Sequence, residues 1–264
     1  MLSKTQIKLI RSLKYKKFRK KYGLFVVEGD KVIRELINIG IKENINYFIH
    51  SLFATSGWLN QYRKLLTGNY KIVEITNQDL DKISFLSTPN EVMALVKIPD
   101  VDLDPDSLLP ELTLVIDSVQ DPGNLGTIIR IAHWFGIPNI LCSPGSADLY
   151  TPKTIQATMG SFLYVRVFYT DLGSCLRYYY HETTLPIYGT FLSGLNIYAQ
   201  QLELTGLIVL GNESKGISDE IKRYIRTPLN IPAFFSGNKP DSLNVAQAAA
   251  IICSEFRRNR LSNF

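Results

Sequence analysis

Apolar residues alternate along the chain between short runs that suit strands and stripes that recur every three to four residues. In the first hundred residues, this pattern predicts strands over residues 24–28, 46–50, 70–75 and 91–97, and helices over residues 30–39, 56–66 and 79–85. Such alternation is typical of a layered α/β domain. A helix or helix pair over residues 2–22 precedes it. The junction Glu28-Gly29-Asp30 either faces a ligand or only caps a helix.

The second half of the chain repeats the alternation. Strands are predicted over residues 112–116, 139–142, 164–168, 187–192, 207–210 and 226–231, with helices between most of them. This arrangement predicts an α/β domain with a largely parallel sheet. The last strand leads through a polar loop at residues 234–241 into a helix rich in alanine, whose small side chains allow another backbone to pack closely.

Between the two halves, residues 99–110 (PDVDLDPDSLLP) hold three prolines and four aspartates, which predicts a stiff linker. We therefore expect a first domain over residues 1–98 and a second over residues 111–264. The net charge of +5 is placed unevenly, since the first domain has 17 Lys/Arg against 8 Asp/Glu and the second has 12 of each. The positive field of the first domain indicates a polyanionic partner.

The basic residues are densest near the amino terminus. The candidate RNA contacts are Lys14, Lys16, Lys17, Arg19, Lys20 and Lys21. Tyr15 and Phe18 lie among them, and RNA is commonly held by phosphate contacts together with aromatic stacking. Two other interpretations are a solvated basic face and, less favoured because the apolar stripe is short, a helix on a membrane surface.

Several functional classes are disfavoured by what the sequence lacks. No apolar run approaches the ~18 residues of a membrane span, and no apolar signal core follows the basic start, so we expect neither membrane insertion nor export. The three cysteines are far apart and odd in number, which is typical of reduced thiols in a cytoplasmic protein. The cysteines and the three histidines show no metal-ligand spacing, and we expect no metal.

Three polar loops follow predicted strands in the second domain. They read DPGNLGTIIR, LGNESKG and IPAFFSGNKPDSLNVAQAAA. Open α/β sheets bind ligands at the carboxyl ends of their strands, where Glu213 lies and where Gly211 allows close backbone approach. Each loop alone also fits an ordinary capped helix or surface turn, with Asn124 as a helix cap. The spacings of a P-loop and of a dinucleotide fingerprint are absent.

Taken together and in this order, the three loops closely resemble the signature motifs of the SpoU (TrmH-type) RNA 2′-O-ribose methyltransferases of the SPOUT superfamily. The resemblance covers residues 112–256, and a looser one, based on VVEG and the strand–helix alternation, links the first domain to the small α/β RNA-binding domain of such enzymes. It implies a parallel sheet with a deep trefoil knot, S-adenosyl-L-methionine bound in that knot, and a homodimer formed through the C-terminal domain with the active site near its interface.

The resemblance also assigns roles by motif position. The residues that match the catalytic positions are Asn124, Arg130, Glu213, Ser242 and Asn244. The residues that match the cofactor loops are Thr190 to Gly194, Gly211, Asn212, Glu213, Ile231, Pro232, Ser242, Leu243 and Asn244. Ala233 and Gln247 depart from the residues that are frequent at their positions, and neither change removes a polar catalytic group.

The implied reaction is S-adenosylmethionine-dependent 2′-O-ribose methylation of ribosomal RNA, with transfer RNA as the alternative substrate. The family role of Arg130 is to activate the ribose hydroxyl. Because a guanidinium is almost never deprotonated in proteins, we favour an Arg130 that stays charged and stabilises the developing oxyanion over one that acts as a base. Asn124 and Asn244 would orient the ribose or Arg130, and Glu213 would fix them. The rival hypothesis is a non-catalytic RNA-binding or ribosome-assembly protein that retains the fold.

Overall fold

The structure is a computed structural model that describes residues 2–42, 47–234 and 241–258. The chain forms two compact units. Unit 1 comprises Met1–Val101 and Asp148–Leu163, and unit 2 comprises Asp102–Ala147 and Tyr164–Phe264. The chain therefore crosses between units three times, and a short segment from the predicted second domain belongs to the compact body of the first.

Unit 1 is a mixed four-stranded sheet with helices. Its elements are α1 (Lys4–Ser12), α2 (Lys16–Tyr22), β1 (Leu24–Glu28), α3 (Asp30–Lys42), β2 (Ile49–Ala54), α4 (Ser56–Gln61), β3 (Lys71–Glu74), α5 (Asn77–Ile83), β4 (Val92–Lys97) and, from the later segment, α7 (Pro152–Thr158). The strand order is β1-β4-β2-β3; β4 is antiparallel to β1 and β2, while β2 and β3 are parallel. The predicted α/β layering is confirmed.

The helix pair at the start packs its apolar stripe into the core of this unit. Ile10 and Leu13 are fully buried and contact the apolar side chains of the sheet and of α5. A capping box between Ser3 and Gln6 starts α1, and Gly23 ends α2 in the left-handed region at φ 63°. The remaining faces of both helices carry the lysines.

The second strand lies further along the chain than the sequence predicts. It spans Ile49–Ala54 rather than residues 46–50, and Asn46 is outside the described residues. Burial decides the position, because the carboxyl half of β2 is buried and pairs with β4. The Thr55 hydroxyl then accepts a hydrogen bond from the Trp58 amide and starts α4.

Arg19 corrects the predicted set of RNA contacts. Its side chain is buried, with 2% of the residue exposed. The guanidinium donates to the carbonyl oxygens of Leu13 and Lys14 at 2.7 and 2.8 Å and to the Asp148 carboxylate at 2.9 Å. Arg19 therefore fixes the corner between α1 and α2 and cannot grip RNA. The lysines of the set are all exposed: Lys14, Lys16, Lys17, Lys20 and Lys21.

The segment 148–163 completes the core of unit 1. Phe25 of β1 packs its ring against Tyr150 and Phe162, with ring centroids 4.8 and 6.0 Å apart. Phe25 and Phe162 are fully buried. A protein cut after residue 98 would expose this face of β1, so truncation is a poor way to isolate the role of unit 1.

The junction Glu28-Gly29-Asp30 has a structural role. The Glu28 carboxylate accepts hydrogen bonds from the Ser84 hydroxyl and from the Phe85 amide, and so holds the chain after α5. Asp30 opens α3 and accepts a hydrogen bond from the Trp58 indole at 2.8 Å. The interpretation in which this junction caps a helix and supports the fold is the one that the contacts favour.

Unit 2 contains the parallel sheet. Its elements are β5 (Leu112–Ile116), α6 (Pro122–Trp134), β6 (Asn139–Cys142), β7 (Arg166–Tyr169), α8 (Leu172–Glu182), β8 (Ile187–Asn196), β9 (Gly206–Leu210), α9 (Asp219–Lys222), β10 (Thr227–Asn230) and α10 (Val245–Arg258). The strand order is β10-β8-β9-β5-β6-β7, and every pairing between these described strands is parallel. The predicted parallel sheet is confirmed.

Most of the predicted linker, from Asp102 onward, belongs to unit 2. Leu108 lies in a 3-10 turn and is fully buried in the core of this unit. The Tyr179 hydroxyl donates to the Pro105 carbonyl at 2.6 Å. Prolines and aspartates stiffen this stretch, yet its leucine anchors it to the sheet domain.

The alanine-rich helix α10 packs against α6. Ala246 and Ala249 are buried, as their small size predicts. At the far end, the Arg257 guanidinium donates to the carbonyls of Phe135 and Gly136 at 2.8 and 2.9 Å. These bonds satisfy carbonyl groups at the carboxyl end of α6. The two helices that carry the first and third motifs are therefore joined at their carboxyl ends.

We expect Arg19→Ala to lower the free energy of unfolding by about 3–5 kcal/mol, because it leaves a mostly buried carboxylate and two carbonyls without their donor. Urea unfolding measures the change. The matched control is Lys20→Ala, the exposed neighbour, which should change stability by less than about 0.5 kcal/mol. Equal effects of the two substitutions would contradict the structural role of Arg19.

Burial raises the pKa of the Glu28 carboxyl above its ordinary value, against the opposing effect of hydrogen bonds from Ser84 and Phe85. Between the ordinary and the raised pKa, the folded protein binds more protons than the unfolded chain, so the contribution of Glu28 to stability falls as the pH rises. Glu28→Gln does not titrate. Its amide oxygen can still accept from the Phe85 amide, whereas its NH2 group can only donate, to the Ser84 hydroxyl oxygen. The unfolding free energy of the wild type relative to this variant should therefore fall as the pH rises above the ordinary pKa of a glutamate, about 4.

Urea unfolding at several pH values measures that difference. Glu74→Gln, at an exposed glutamate in the same unit, is the control for general charge effects. A difference between wild type and Glu28→Gln that stays constant with pH would show that the carboxyl does not titrate abnormally.

Candidate active site

The carboxyl ends of four neighbouring strands form one edge of unit 2. Ile116 of β5 pairs with Leu210 of β9, and Val209 pairs with Gly189 of β8. Because parallel strands end on the same side, the loops that follow them begin next to one another. The first two motifs follow β5 and β9, and the third follows β10 at the edge of the sheet.

Asn124 comes from the first motif, and its side chain does not cap its own helix. The cap of α6 is Asp121, whose carboxylate accepts from the Asn124 backbone amide at 2.9 Å. The expectation that Asn124 caps α6 is wrong, because the cap residue lies three positions earlier. This frees the Asn124 side chain to donate to the Glu213 carboxylate of the second motif at 2.7 Å.

Asn244 brings the third motif to the same point. Its side-chain oxygen accepts from the backbone amides of Ala246 and Gln247 at 2.9 and 3.3 Å, so it starts α10. Its side-chain nitrogen donates to the Asn124 oxygen at 3.0 Å. The three motifs are therefore joined by two hydrogen bonds, from Asn244 to Asn124 to Glu213. We call these three residues the amide–carboxylate chain.

The amide–carboxylate chain has only one consistent direction. A carboxylate accepts and does not donate, so Asn124 must turn its nitrogen toward Glu213. Its oxygen then needs a donor, which Asn244 supplies. The oxygen of Asn244 consequently faces the helix amides, which need an acceptor. Each orientation is thus fixed by its neighbours.

The second motif forms a tight loop. A Cβ added to Gly211 would overlap the backbone of Gly216 and Ile217, so the space beside this glycine is filled by the protein's own chain and not left open as predicted. The Asn212 side chain donates to the Ser118 carbonyl at 2.7 Å and accepts from the amide of Ser214. Its side chain is therefore committed to shaping the loop that presents Glu213.

Asp117 is a site residue that sequence reasoning missed. It is 5% exposed, and its carboxylate accepts from the Ser218 amide at 2.7 Å and from the Ser118 hydroxyl at 3.1 Å. It thereby ties the first loop to the second. Ser118 lies in the left-handed region at φ 60°, which is uncommon outside glycine. The available signal was an aspartate directly after a strand in which Thr113 is the one polar residue.

The predicted cofactor residues lie along the same edge of the sheet. Thr190 is half-buried in β8, and Ile231 and Pro232 are half-buried just after β10. The Asn230 side chain donates to the carbonyls of residues 191 and 192 at 3.1 and 2.6 Å, which joins β10 to the middle of β8. Ser242 and Leu243 are exposed, next to Asn244. Residues 235–240, most of the predicted third loop, are outside the described residues.

The first and second loops enclose a polar cavity of about 600 Å³. Its lining includes Asp117, Gln120, Glu213 and Lys222. Of the predicted cofactor set it shares Asn212 and Glu213, whereas Thr190, Ile231, Pro232, Ser242 and Leu243 are not part of its lining. The cavity opens beside the carboxylate at one end of the amide–carboxylate chain.

Arg130 is not joined to the amide–carboxylate chain. It lies six residues after Asn124 on α6, about 9 Å further along the axis and on a different side of the helix. Its side chain is exposed, and it forms neither a hydrogen bond nor an ion pair with any residue that the structure describes. The structure thus brings Asn124, Glu213 and Asn244 together and leaves Arg130 apart from them.

The described part of the chain shows neither a membrane-spanning helix nor a cluster of metal-binding side chains. No helix within it is long and apolar enough to cross a bilayer. No group of three or more His, Cys, Asp or Glu side chains in residues 2–42, 47–234 and 241–258 is arranged to bind a metal ion.

A parallel sheet with a polar site at its carboxyl edge, built from three joined loops, defines a protein that binds a ligand at its strand ends. The model of the SpoU rRNA methylase family matches residues 111–254, and that of the MRM3-like substrate binding domain matches residues 4–94. The chain therefore belongs to the SpoU rRNA methylase family, as the resemblance of its three motifs predicted.

Relatives match over nearly the full length. The 23S rRNA (guanosine(2553)-2′-O)-methyltransferase RlmP of Bacillus subtilis is 29% identical, with 96% of each chain covered. The structure of a TrmH-family protein from Porphyromonas gingivalis matches at 38% identity with a TM-score of 0.85, covering 98% of this chain and 99% of that one. The AdoMet-bound rRNA methyltransferase of Sinorhizobium meliloti matches at 25% identity and a TM-score of 0.84, covering 98% and 96%.

The direction of the amide–carboxylate chain can be tested by inverting it. Asn124→Asp places an acceptor against the Glu213 carboxylate, and Glu213→Gln removes the charge that Asn124 donates to. In the double variant, the new amide at position 213 donates to the new carboxylate at position 124, and Asn244 still has an acceptor. Urea unfolding should reveal a favourable coupling energy of about 1–2 kcal/mol between the two substitutions.

The control combines Asn124→Asp with Glu203→Gln, at an exposed glutamate of the same unit, and these two changes should be additive. Additivity in the Asn124/Glu213 pair as well would show that the bond between them does not contribute to the folded state in solution.

Proposed function

We propose that this protein is an S-adenosylmethionine-dependent RNA 2′-O-ribose methyltransferase that acts on ribosomal RNA. The observation that carries the proposal is the amide–carboxylate chain, which joins Asn124, Glu213 and Asn244 from the three family motifs at one point. The full-length similarity to a 23S rRNA 2′-O-methyltransferase supports ribosomal RNA as the substrate, as does a substrate-binding domain over residues 4–94.

The predicted cofactor residues fit S-adenosylmethionine in chemistry and placement. The half-buried Ile231 and Pro232 and the exposed Leu243 offer apolar surface for an adenine ring. Thr190 supplies a hydroxyl on the adjacent strand, and Ser242 another beside Asn244. When bound, the cofactor supplies a methyl group on a sulfonium, which is transferred to the ribose 2′-oxygen with cleavage of the carbon–sulfur bond and loss of the hydroxyl proton to solvent.

The chain's own residues position the nucleophile. Asn124 and Asn244 have their amides locked by mutual hydrogen bonds, so they present fixed dipoles to a ribose that docks against them. Glu213 holds this arrangement by accepting from Asn124, and its role is positioning. A ribose hydroxyl is a weak nucleophile, and a pre-oriented site lowers the cost of bringing its oxygen into line.

Arg130 contributes positive charge. Because the guanidinium is exposed and unpaired within the described chain, it is available to an RNA phosphate or to the developing alkoxide. Its separation from Asn124 along α6 fits a site completed by RNA or by a second subunit. We favour charge stabilisation over proton abstraction for the reason that a guanidinium keeps its proton.

Further features of the proposal follow from the family. We propose a homodimer through unit 2, which the large exposed apolar side chains of Trp134 and Leu192 support. We also propose the deep trefoil knot, which the resemblance of the three motifs implies and which membership of the family supports. The reduced state of the three cysteines suits a cytoplasmic protein.

Arg130→Ala should lower methyl transfer to ribosomal RNA by about 100- to 1,000-fold while leaving S-adenosylmethionine affinity nearly unchanged, since the loss affects the developing charge and not the cofactor loops. Transfer of labelled methyl groups to RNA lacking the modification measures the rate, mapping of 2′-O-methyl positions identifies the product, and calorimetry measures cofactor binding.

The matched control is Arg166→Ala, an exposed arginine on β7 outside the three motifs, which should retain activity. Wild-type turnover in Arg130→Ala would exclude this arginine from the reaction. Absence of both cofactor binding and methyl transfer in the wild-type protein would overturn the enzymatic proposal and favour a non-catalytic RNA-binding or ribosome-assembly protein.

A further inference from the structure

The short helix α2 carries exposed aromatic rings. Tyr15, at its start, is 58% exposed and Tyr22, at its end, is 43% exposed. Phe18 lies between them, with its ring centroid 6.5 Å from that of Tyr15 and 6.4 Å from that of Tyr22. The Phe18 and Tyr22 rings are nearly parallel, at 12°. The three rings form a continuous aromatic row.

Cations accompany this row. The Lys17 ammonium lies 5.0 Å from the Phe18 ring centroid, and the Lys21 ammonium lies 5.4 Å from that of Tyr22. Both distances suit cation–π contacts. The sequence has no acidic residue before Glu28, so the row lies in a strongly positive field. Aromatic faces surrounded by cations suit a polyanion that also carries planar groups.

The first turn of α2 is poorly suited to a helix selected for stability alone. Tyr15 occupies the cap position without a side-chain cap bond, where Ser, Thr, Asp or Asn would supply one. Lys16 and Lys17 occupy the first turn, where positive charge opposes the helix dipole. Violations of local rules concentrate at functional sites.

Arg19 makes this helix a rigid platform despite those choices. It is the buried side chain of α2, and its bonds to the preceding corner and to Asp148 fix the helix on unit 1. Residues on either side of Arg19 are therefore held facing solvent. A preordered surface loses less conformational freedom on binding than a mobile one.

We propose that Tyr15, Phe18 and Tyr22 form a stacking platform for unpaired bases of the substrate RNA, with the lysines holding the adjoining phosphates. The proposal rests on the proposed function, in that the protein acts on RNA, and it specifies the RNA class. Bases in a duplex already stack on each other, whereas unpaired bases have faces available to aromatic side chains. The target would thus present a single-stranded loop or bulge to α2.

The test compares two labelled RNAs with the full-length protein. One is a hairpin with an eight-nucleotide unpaired loop, and the other is a duplex with the same number of phosphates. In the variant Tyr15→Leu/Tyr22→Leu, affinity for the hairpin should fall by about 5- to 150-fold for each stacked base that is lost, while affinity for the duplex stays within about twofold.

Three further variants separate stacking from charge and from misfolding. Tyr22→Trp should retain hairpin binding, since it keeps a planar ring. Phe48→Leu replaces a 64% exposed aromatic of unit 1 outside α2 and should leave hairpin affinity unchanged. Lys20→Gln/Lys21→Gln should weaken binding of both RNAs and reduce the salt dependence, because it removes phosphate contacts.

A loop base replaced by 2-aminopurine reports stacking directly. Wild-type protein should quench its fluorescence, and the double leucine variant should not. The proposal is overturned by unchanged hairpin affinity in that variant, or by an equal loss on the duplex, which would indicate phosphate contacts alone. Binding of an acidic polypeptide in preference to both RNAs would also overturn it.

Methyl transfer by the wild-type protein, measured in parallel, distinguishes the two levels of inference. If the wild type methylates RNA and the double leucine variant binds the hairpin as tightly as the wild type does, the stacking platform is wrong and the proposed function stands. Failure of the wild type to bind S-adenosylmethionine and to methylate RNA would defeat the proposed function itself.

Discussion

A single asparagine with both halves of its amide engaged determines the site of this protein. Asn124 donates to a carboxylate on one side and accepts from a second asparagine on the other. Its partners are 89 and 120 positions away in the chain, so these bonds exist only when the ends of the parallel strands are in place. The same geometry starts α10, because Asn244 can cap that helix only with its oxygen, which leaves its nitrogen for Asn124. Fold and site are therefore consequences of one arrangement.

Unit 1 shows how identical charges acquire different roles. Nine basic residues precede Glu28, and the sequence presents them as one positive field. Arg19 alone is turned inward among those of α2, where its planar group can satisfy two carbonyls and a carboxylate at once. A lysine also has three donors, but they are all on one nitrogen, whereas Arg19 reaches the two carbonyls and the carboxylate from two separate nitrogens. The buried arginine fixes the helix, and the exposed lysines and aromatic rings are left to solvent or to a ligand.

The loops of the site are built mainly from contacts within the chain. The side chains of Asp117 and Asn212 form hydrogen bonds with neighbouring backbone groups. Gly211 has no room for a side chain, because the backbone of Gly216 and Ile217 occupies that space. These contacts hold Glu213 in position. Functional groups that must be rigid need such support, since an orientation error of about an ångström is costly for a positioned reaction.

The sequence by itself determined the parallel sheet and most helix and strand positions, because burial imposes a repeat that can be counted along the chain. The uneven charge and the three motifs followed from the identities of the residues. Only the tertiary structure decided that Asp121 caps α6, that Arg19 is buried, that residues 148–163 complete unit 1, and that β2 begins at Ile49. Each of these depends on which distant groups approach one another. The buried face of a helix produces a repeat in the sequence, whereas the identity of a distant hydrogen-bond partner does not.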